Sequence, residues 1–130
     1  MLEKLVPKFN LLDKVKFTGF VNNPEELWQN CDLFFFPIRW QEPFGLVSLE
    51  ALAHQKAVIS FDLGGVREYL SNDCGAIIPP KDTTYAAKVI TNYYHNPALL
   101  KEHGQNGYKT VQEKFSEEKF LEEFNKLFRE

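Results

Sequence analysis

The sequence predicts an α/β domain built on a mostly parallel sheet, and three observations carry that expectation. Residues 33–38 (LFFFPI) and 57–61 (AVISF) are continuously apolar rather than alternating, as strands covered on both faces are. Residues 44–54 (FGLVSLEALAH) between them read as a helix, and beyond residue 81 the pattern turns to helices alone. With 130 residues and 44% hydrophobic content, the chain is long enough for one core and too short for two of ordinary size.

Each element has its own signal. Residues 15–20 (VKFTGF) form a β-prone core closed by the turn formers Asn22 and Asn23. Asn23 then caps a helix with Pro24 first and with Glu25 and Glu26 in its opening turn, where acids meet the positive end of the helix dipole. Strand 33–38, helix 44–54 and strand 57–61 follow, and residues 75–80 (GAIIPP) supply a fourth short strand stopped by two prolines. Next come a helix over 85–95, one opened by Asn96 and Pro97, and one capped by Ser116 with Glu117 and Glu118 in its first turn. Phe120, Leu121, Phe124, Leu127 and Phe128 make an apolar stripe, so this last helix is expected to dock on the domain.

Composition narrows the function classes. A net charge of −3 and a pI near 5.7 argue against a phosphate-backbone binder, so no nucleic-acid partner is expected. Cys31 and Cys74 lack CxxC or metal-ligand spacing, which indicates neither a zinc site nor a disulfide framework and fits a reducing, cytoplasmic setting. His54, His95 and His103 share no ligand spacing either; solvated or capping roles are expected, and no metal. The start, MLEKLVPKFN, does not read as a secretory signal, so the mature chain is expected to begin there. The longest apolar run is far short of the ~20 residues a membrane-spanning helix needs, so no transmembrane segment is expected.

The stretch from Glu42 to Glu50, EPFGLVSLE, carries the chemistry. A helix opening near Phe44 leaves backbone N–H groups without intrahelical partners and places about half a positive charge there. Gly45 has no side chain to block approach, so an anion could meet the amides of Phe44, Gly45 and Leu46. Glu42 lies before this terminus and Glu50 about five residues inside, one acceptor on each side of an anion site. A nucleotide sugar has that layout: sugar, diphosphate, ribose. On spacing alone, Glu42 also reads as a solvated loop acid, Glu50 as an exposed helix residue, and Phe44, Leu46, Val47 and Leu49 as ordinary core. Gly64 and Gly65 read as a turn after a strand, and Glu68 as an acid that helps the next helix start.

These residues resemble the retaining GT-B glycosyltransferases of the family 4, or group 1, kind. PIRWQEPFGLVSLEALA (37–53) is similar to their motif of two Glu separated by seven residues. VKFTGFV, CDLFFFP, AVISFDLGGVREYL and GAIIPPKD resemble, in turn, the family's third strand, its fourth, its Gly-Gly-x-x-Glu segment, and its last strand and loop. The resemblance implies a partial Rossmann-like fold, the latter part of a GT-B C-terminal, donor-binding domain. It implies that Glu42 holds hydroxyls of the donor sugar and serves in catalysis. The amides of Phe44, Gly45 and Leu46 would meet sugar and phosphates, and Glu50 would bind the ribose. The implied partner is a UDP- or GDP-linked sugar, bound without metal or other cofactor.

The chain departs from the family pattern in two ways. Gln55 stands where a glycine ends the helix and Ala57 where proline opens the next strand. The family's cationic Arg and Lys pair and its other Rossmann domain belong to segments upstream of residue 1. The chain is therefore expected to bind donor weakly and to be inactive alone, with a separate chain possible as the carrier of the remaining GT-B portion. A non-catalytic nucleotide-sugar-binding or regulatory module and a folded remnant are the alternatives. Of the family's strand order 3-2-1-4-5-6 the last four recognisable strands are the third to sixth. With the central two absent, strand 15–20 is expected to pair directly with strand 33–38 in a four-stranded sheet.

Overall fold

The structure, a computed structural model, describes residues 2–128. Strands β1 (Leu33–Phe36), β2 (Ala57–Phe61) and β3 (Gly75–Ile78) form one parallel sheet in the order β1-β2-β3. Leu33 lies opposite Ala57 and Phe36 opposite Ser60; Val58 lies opposite Gly75 and Phe61 opposite Ile78. Helix α1 (Leu5–Lys8), preceded by a 3-10 turn, and helix α2 (Pro24–Asn30) lead into β1. Helices α3 (Leu46–Ala53) and α4 (Val66–Tyr69) lie in the two crossovers, and α5 (Thr83–His95), α6 (Pro97–Lys114) and α7 (Glu117–Lys126) end the chain.

The continuous apolar reading of β2 has a direct cause: all five of its residues are buried, because both sheet faces are covered. Val58 packs on one side with Leu52, Val66, Tyr69, Leu70 and Cys74. Ala57, Ile59 and Phe61 pack on the other with Ile38, Ile78, Ala86 and Tyr93. Each fully buried Leu or Ile in these layers, such as Leu52 and Ile59, contributes about 1.5–3 kcal/mol of transfer free energy. The caps expected at Asn23 and Ser116 form, their side chains accepting from the N–H groups of Glu25 and Lys119; Asp82 likewise accepts from Tyr85 N–H, so that helix starts at Thr83 rather than at residue 85.

Three expectations need correction, and one element was not expected. Residues 15–20 form no strand, so the sheet has three strands rather than four. The N–H groups of Lys14 and Val15 both bond Leu11 O, which turns the chain as the segment opens. Strand-prone residues without a ladder to join stay irregular, and Phe20 is 92% exposed. The stripe of α7 is not docked among the described residues: Phe120, Leu121, Phe124, Leu127 and Phe128 are all exposed, and the helix buries no residue. Two of its ring pairs contact each other instead, Phe120 with Phe124 and Phe124 with Phe128. The central helix starts at Leu46 rather than Phe44, because Gly45 has φ 82°, outside the helical region. Helix α1 has no counterpart in the sequence reading, since four residues hold too little of a helical period to see.

Candidate functional site at the carboxyl ends of the strands

In an open parallel sheet the loops leaving the carboxyl ends of the strands face outward, where ligands bind. Two such loops meet here, residues 37–45 after β1 and 62–65 after β2. Gly65 N–H donates to the carbonyl oxygen of Glu42 (3.0 Å), and Gly64 N–H donates to Gln41 Oε1 (2.8 Å). Gly64 has φ +61°, and a Cβ there would collide with the Glu42 carbonyl. The glycine pair therefore does more than turn the chain after β2: it clamps the backbone that carries Glu42. Trp40 Nε1–H donates to Glu42 Oε2 at 2.9 Å, occupying one carboxylate oxygen and leaving Oε1 the freer acceptor.

Helix α3 starts beside this carboxylate. Phe44 turns its ring inward, edge-on to Tyr69 (5.4 Å) and Phe115 (5.7 Å), so its side chain is core and only its backbone remains for a ligand. Gly45 is buried, and the space a Cβ would take is filled by Tyr69 Oη (2.9 Å) and Phe36 Cε1 (3.2 Å). The absent side chain thus makes room for the Tyr69 hydroxyl and the Phe36 ring and permits the left-handed backbone. Leu46 and Val47 stand exposed at the first turn. Ser48 N–H bonds Gly45 O, whereas the N–H groups of Phe44, Gly45, Leu46 and Val47 make no bond among the described residues. Two donors belong to the loop and two to the first turn, and the helix dipole adds to them.

Glu50 lies in the second turn of α3, exposed, roughly 6 Å along the axis from Leu46 at helical rise. Its carbonyl oxygen lies 2.8 Å from His54 Nδ1, and His54 Nε2 lies 2.7 Å from Glu25 Oε2. Both partners are acceptors, so the ring must donate from both nitrogens. That requirement raises the imidazole's pKa, chiefly through the Glu50 carbonyl, with Glu25 adding to it and burial opposing it. His54 is thus a helix cap that ties α3 to α2, and it stacks on Trp28.

Of the residues singled out from sequence, the structure brings Glu42, Phe44, Gly45 and Leu46 to one corner and sets Glu50 one turn along the same helix. Sequence reasoning missed Trp40, Gln41 and Tyr69, which surround Glu42 and Gly45; Trp40 two residues from an acid was the one local signal. Arg67 forms a bidentate pair with Asp62 (2.8 and 2.6 Å), and that bonding raises its pKa further. Both cysteines are free thiols. Among the described residues no three His, Cys, Asp or Glu side chains gather as a metal site would require. Nor is any described helix long and apolar enough to cross a membrane. The corner offers backbone donors flanked by carboxylate acceptors, suited to an anion that carries hydroxyls on either side.

A parallel α/β sheet with such a corner at its strand ends defines a Rossmann-like domain of the GT-B glycosyltransferase kind. The profile "Glycosyl transferases group 1" matches residues 1–110, and the chain belongs to that family. It is similar to the lipopolysaccharide core biosynthesis mannosyltransferase of Rhizobium leguminosarum, 31% identical over 110 residues, covering 84% of this chain and 31% of that protein. The Anabaena protein HepE, crystallised with UDP-glucose, superposes with a TM-score of 0.81 and 26% identity over 85% of this chain and 31% of its own. The C-terminal domain of a group 1 glycosyl transferase from Francisella tularensis superposes with a TM-score of 0.78 and 28% identity, over 89% of this chain and 61% of that one. The chain spans about a third of the length of the curated relatives it matches, 31% and 33% for two of them.

Proposed function

We propose that the chain is the donor-binding portion of a retaining glycosyltransferase of the family 4 kind, the latter part of a GT-B C-terminal domain. The observation that carries this reading is the corner itself: free N–H groups of Phe44, Gly45 and Leu46 with Glu42 on one side and Glu50 on the other. The likeness to a structure that held UDP-glucose supports a nucleotide sugar as the ligand, and the likeness to a solved C-terminal domain supports the placement in the parent enzyme. In this reading the amides receive the diphosphate and Glu50 accepts from the ribose hydroxyls. Glu42, held by Trp40 and the glycine clamp, accepts from the sugar and stabilises positive charge that develops at the anomeric carbon. The site works without metal or other cofactor.

Sugar transfer needs the acceptor held within bonding reach of the donor, and groups that do so lie outside this third of the enzyme. Alone the chain binds and does not turn over; the remaining portion comes from the rest of a longer polypeptide or from a separate chain. An amide NMR titration of the 15N-labelled chain with UDP, GDP and their sugar conjugates tests the reading. Shifts at residues 44–50 with millimolar affinity are expected, weakened at least about tenfold in Glu50→Ala, because hydrogen bonds to a charged group contribute roughly 1.5–3 kcal/mol. A folded sample that shifts with none of these ligands would refute it.

A further inference from the structure

Two hydroxyls beneath the start of α3 have no counterpart in the reading above. Ser48 Oγ is fully buried at the third position of the helix and forms no hydrogen bond among the described residues. Tyr69, at the end of α4, is 3% exposed, and its hydroxyl lies against Gly45, beside the Glu42 side chain. The Tyr69 ring is held edge-on by Phe44, which fixes where the hydroxyl sits. The other buried tyrosine makes the contrast plain: Tyr93 Oη bonds His103 Nδ1 at 2.7 Å, whereas Tyr69 Oη has beside it only the Ser48 hydroxyl, a group that can as well accept as donate. Burying the unpaired Ser48 hydroxyl carries a desolvation cost that packing alone gives no reason to bear, and the Tyr69 hydroxyl next to it lies between Ser48 and the backbone of the site.

We propose that the Tyr69 hydroxyl is a ligand-contacting group of this site, donating a hydrogen bond to a phosphate oxygen of a nucleoside diphosphate held at the start of α3. The proposal rests on the donor-site reading and adds to it a residue on a different element. Phosphate rather than sugar is the fitting target, because a neutral phenol supplies a proton and phosphate oxygens are acceptors only. Burial, reinforced by the charge of Glu42 and opposed by the Ser48 hydroxyl, keeps the phenol protonated. Once its proton points at the ligand, the phenol oxygen is open to the O–H of Ser48, so one ligand satisfies both hydroxyls. The arrangement also supplements the few donors that a single helix start provides.

The test labels the full chain with tyrosine 13Cζ, whose shift reports hydrogen bonding at that residue's own hydroxyl, and titrates UDP and UDP-glucose. Tyr69→Phe, checked for folding by its amide spectrum, identifies the Tyr69 signal by its loss. The expected result is a ligand-dependent shift confined to Tyr69 among the tyrosines, with Tyr69→Phe binding about tenfold more weakly. Amide shifts at 44–50 with an unmoved Tyr69 signal and unchanged affinity in Tyr69→Phe would overturn the inference and leave the donor site standing. No amide shift with either ligand would overturn both. If Tyr69→Phe does not fold, the Tyr69 signal is assigned through backbone connectivity, and its movement or stillness in the unsubstituted chain decides.

Discussion

At the scale of single residues, His54 shows how a small sequence feature becomes a measurable property. Its ring can satisfy both the Glu50 carbonyl and the Glu25 carboxylate only as imidazolium, so folding raises its pKa above the ordinary 6.5. The stabilising contribution of a group whose pKa is raised on folding is fully present below the unfolded pKa and disappears as pH rises through the folded one. Urea midpoints should therefore fall between pH 6 and pH 8, and His54→Gln should flatten that dependence. The change is small, since Glu25 is 60% exposed and such pairs contribute no more than about 1 kcal/mol. A midpoint that rises over this range, or one equally pH-dependent in His54→Gln, would contradict the assignment. The protonated ring also brings a positive charge next to Glu50, so acidification presents the second acceptor of the site in a less negative field.

At the scale of elements, the end of α3 offers the cleanest balance of local terms. Gln55 takes φ 58°, and its N–H and that of Lys56 return to Leu52 O and Ala51 O. This is the left-handed helix stop that glycine favours, occupied by a residue with a Cβ. Gln55→Gly should stabilise the chain by about 1 kcal/mol in urea denaturation without altering ligand shifts at 44–50. No gain would mean that the side chain makes compensating contacts. What was legible in the sequence follows the same division between local and distant causes. The caps at Asn23 and Ser116 and the buried strand β2 are written within a few residues of where they act, and each was readable, whereas the stop at Gln55 was visible only through the family resemblance. Residues 15–20 have strand propensity, but a strand exists only with a partner ladder; the absence of the two central neighbours was readable, and the direct pairing with β1 expected in their place does not form. The Glu42 corner was half visible: the two acids and the helix start are adjacent in sequence, whereas the clamp from Gly64 and Gly65 and the hydroxyl of Tyr69 arrive from more than twenty residues away.

At the scale of the whole molecule, the amount of surface is itself informative. A compact monomer of 15.1 kDa should expose roughly 7,100 Å². This chain exposes 9735 Å², and large apolar side chains are exposed toward both ends of the sequence. Leu2, Phe9, Leu12, Phe17 and Phe20 stand out at one end and the α7 stripe at the other. An apolar groove of about 250 Å³ runs among Leu2, Leu5, Val6, Phe9, Leu11, Val15 and Phe17. Among the described residues the outer edge of β1 is unpaired as well, so backbone donors and acceptors accompany the exposed side chains. Surfaces of this kind associate when nothing covers them, because their burial is favourable at about 25 cal/mol per Å². Sedimentation velocity on the chain alone should show a weight-average coefficient that rises with concentration through the micromolar range. Replacing Phe17 and Phe20 by serine should return it toward the monomer value while leaving ligand shifts at 44–50 intact, since that corner lies on separate elements. A chain that sediments as a monomer at every concentration would mean that the ends fold back on the domain in solution, and then Phe20 and Phe124 should be protected from solvent paramagnetic probes.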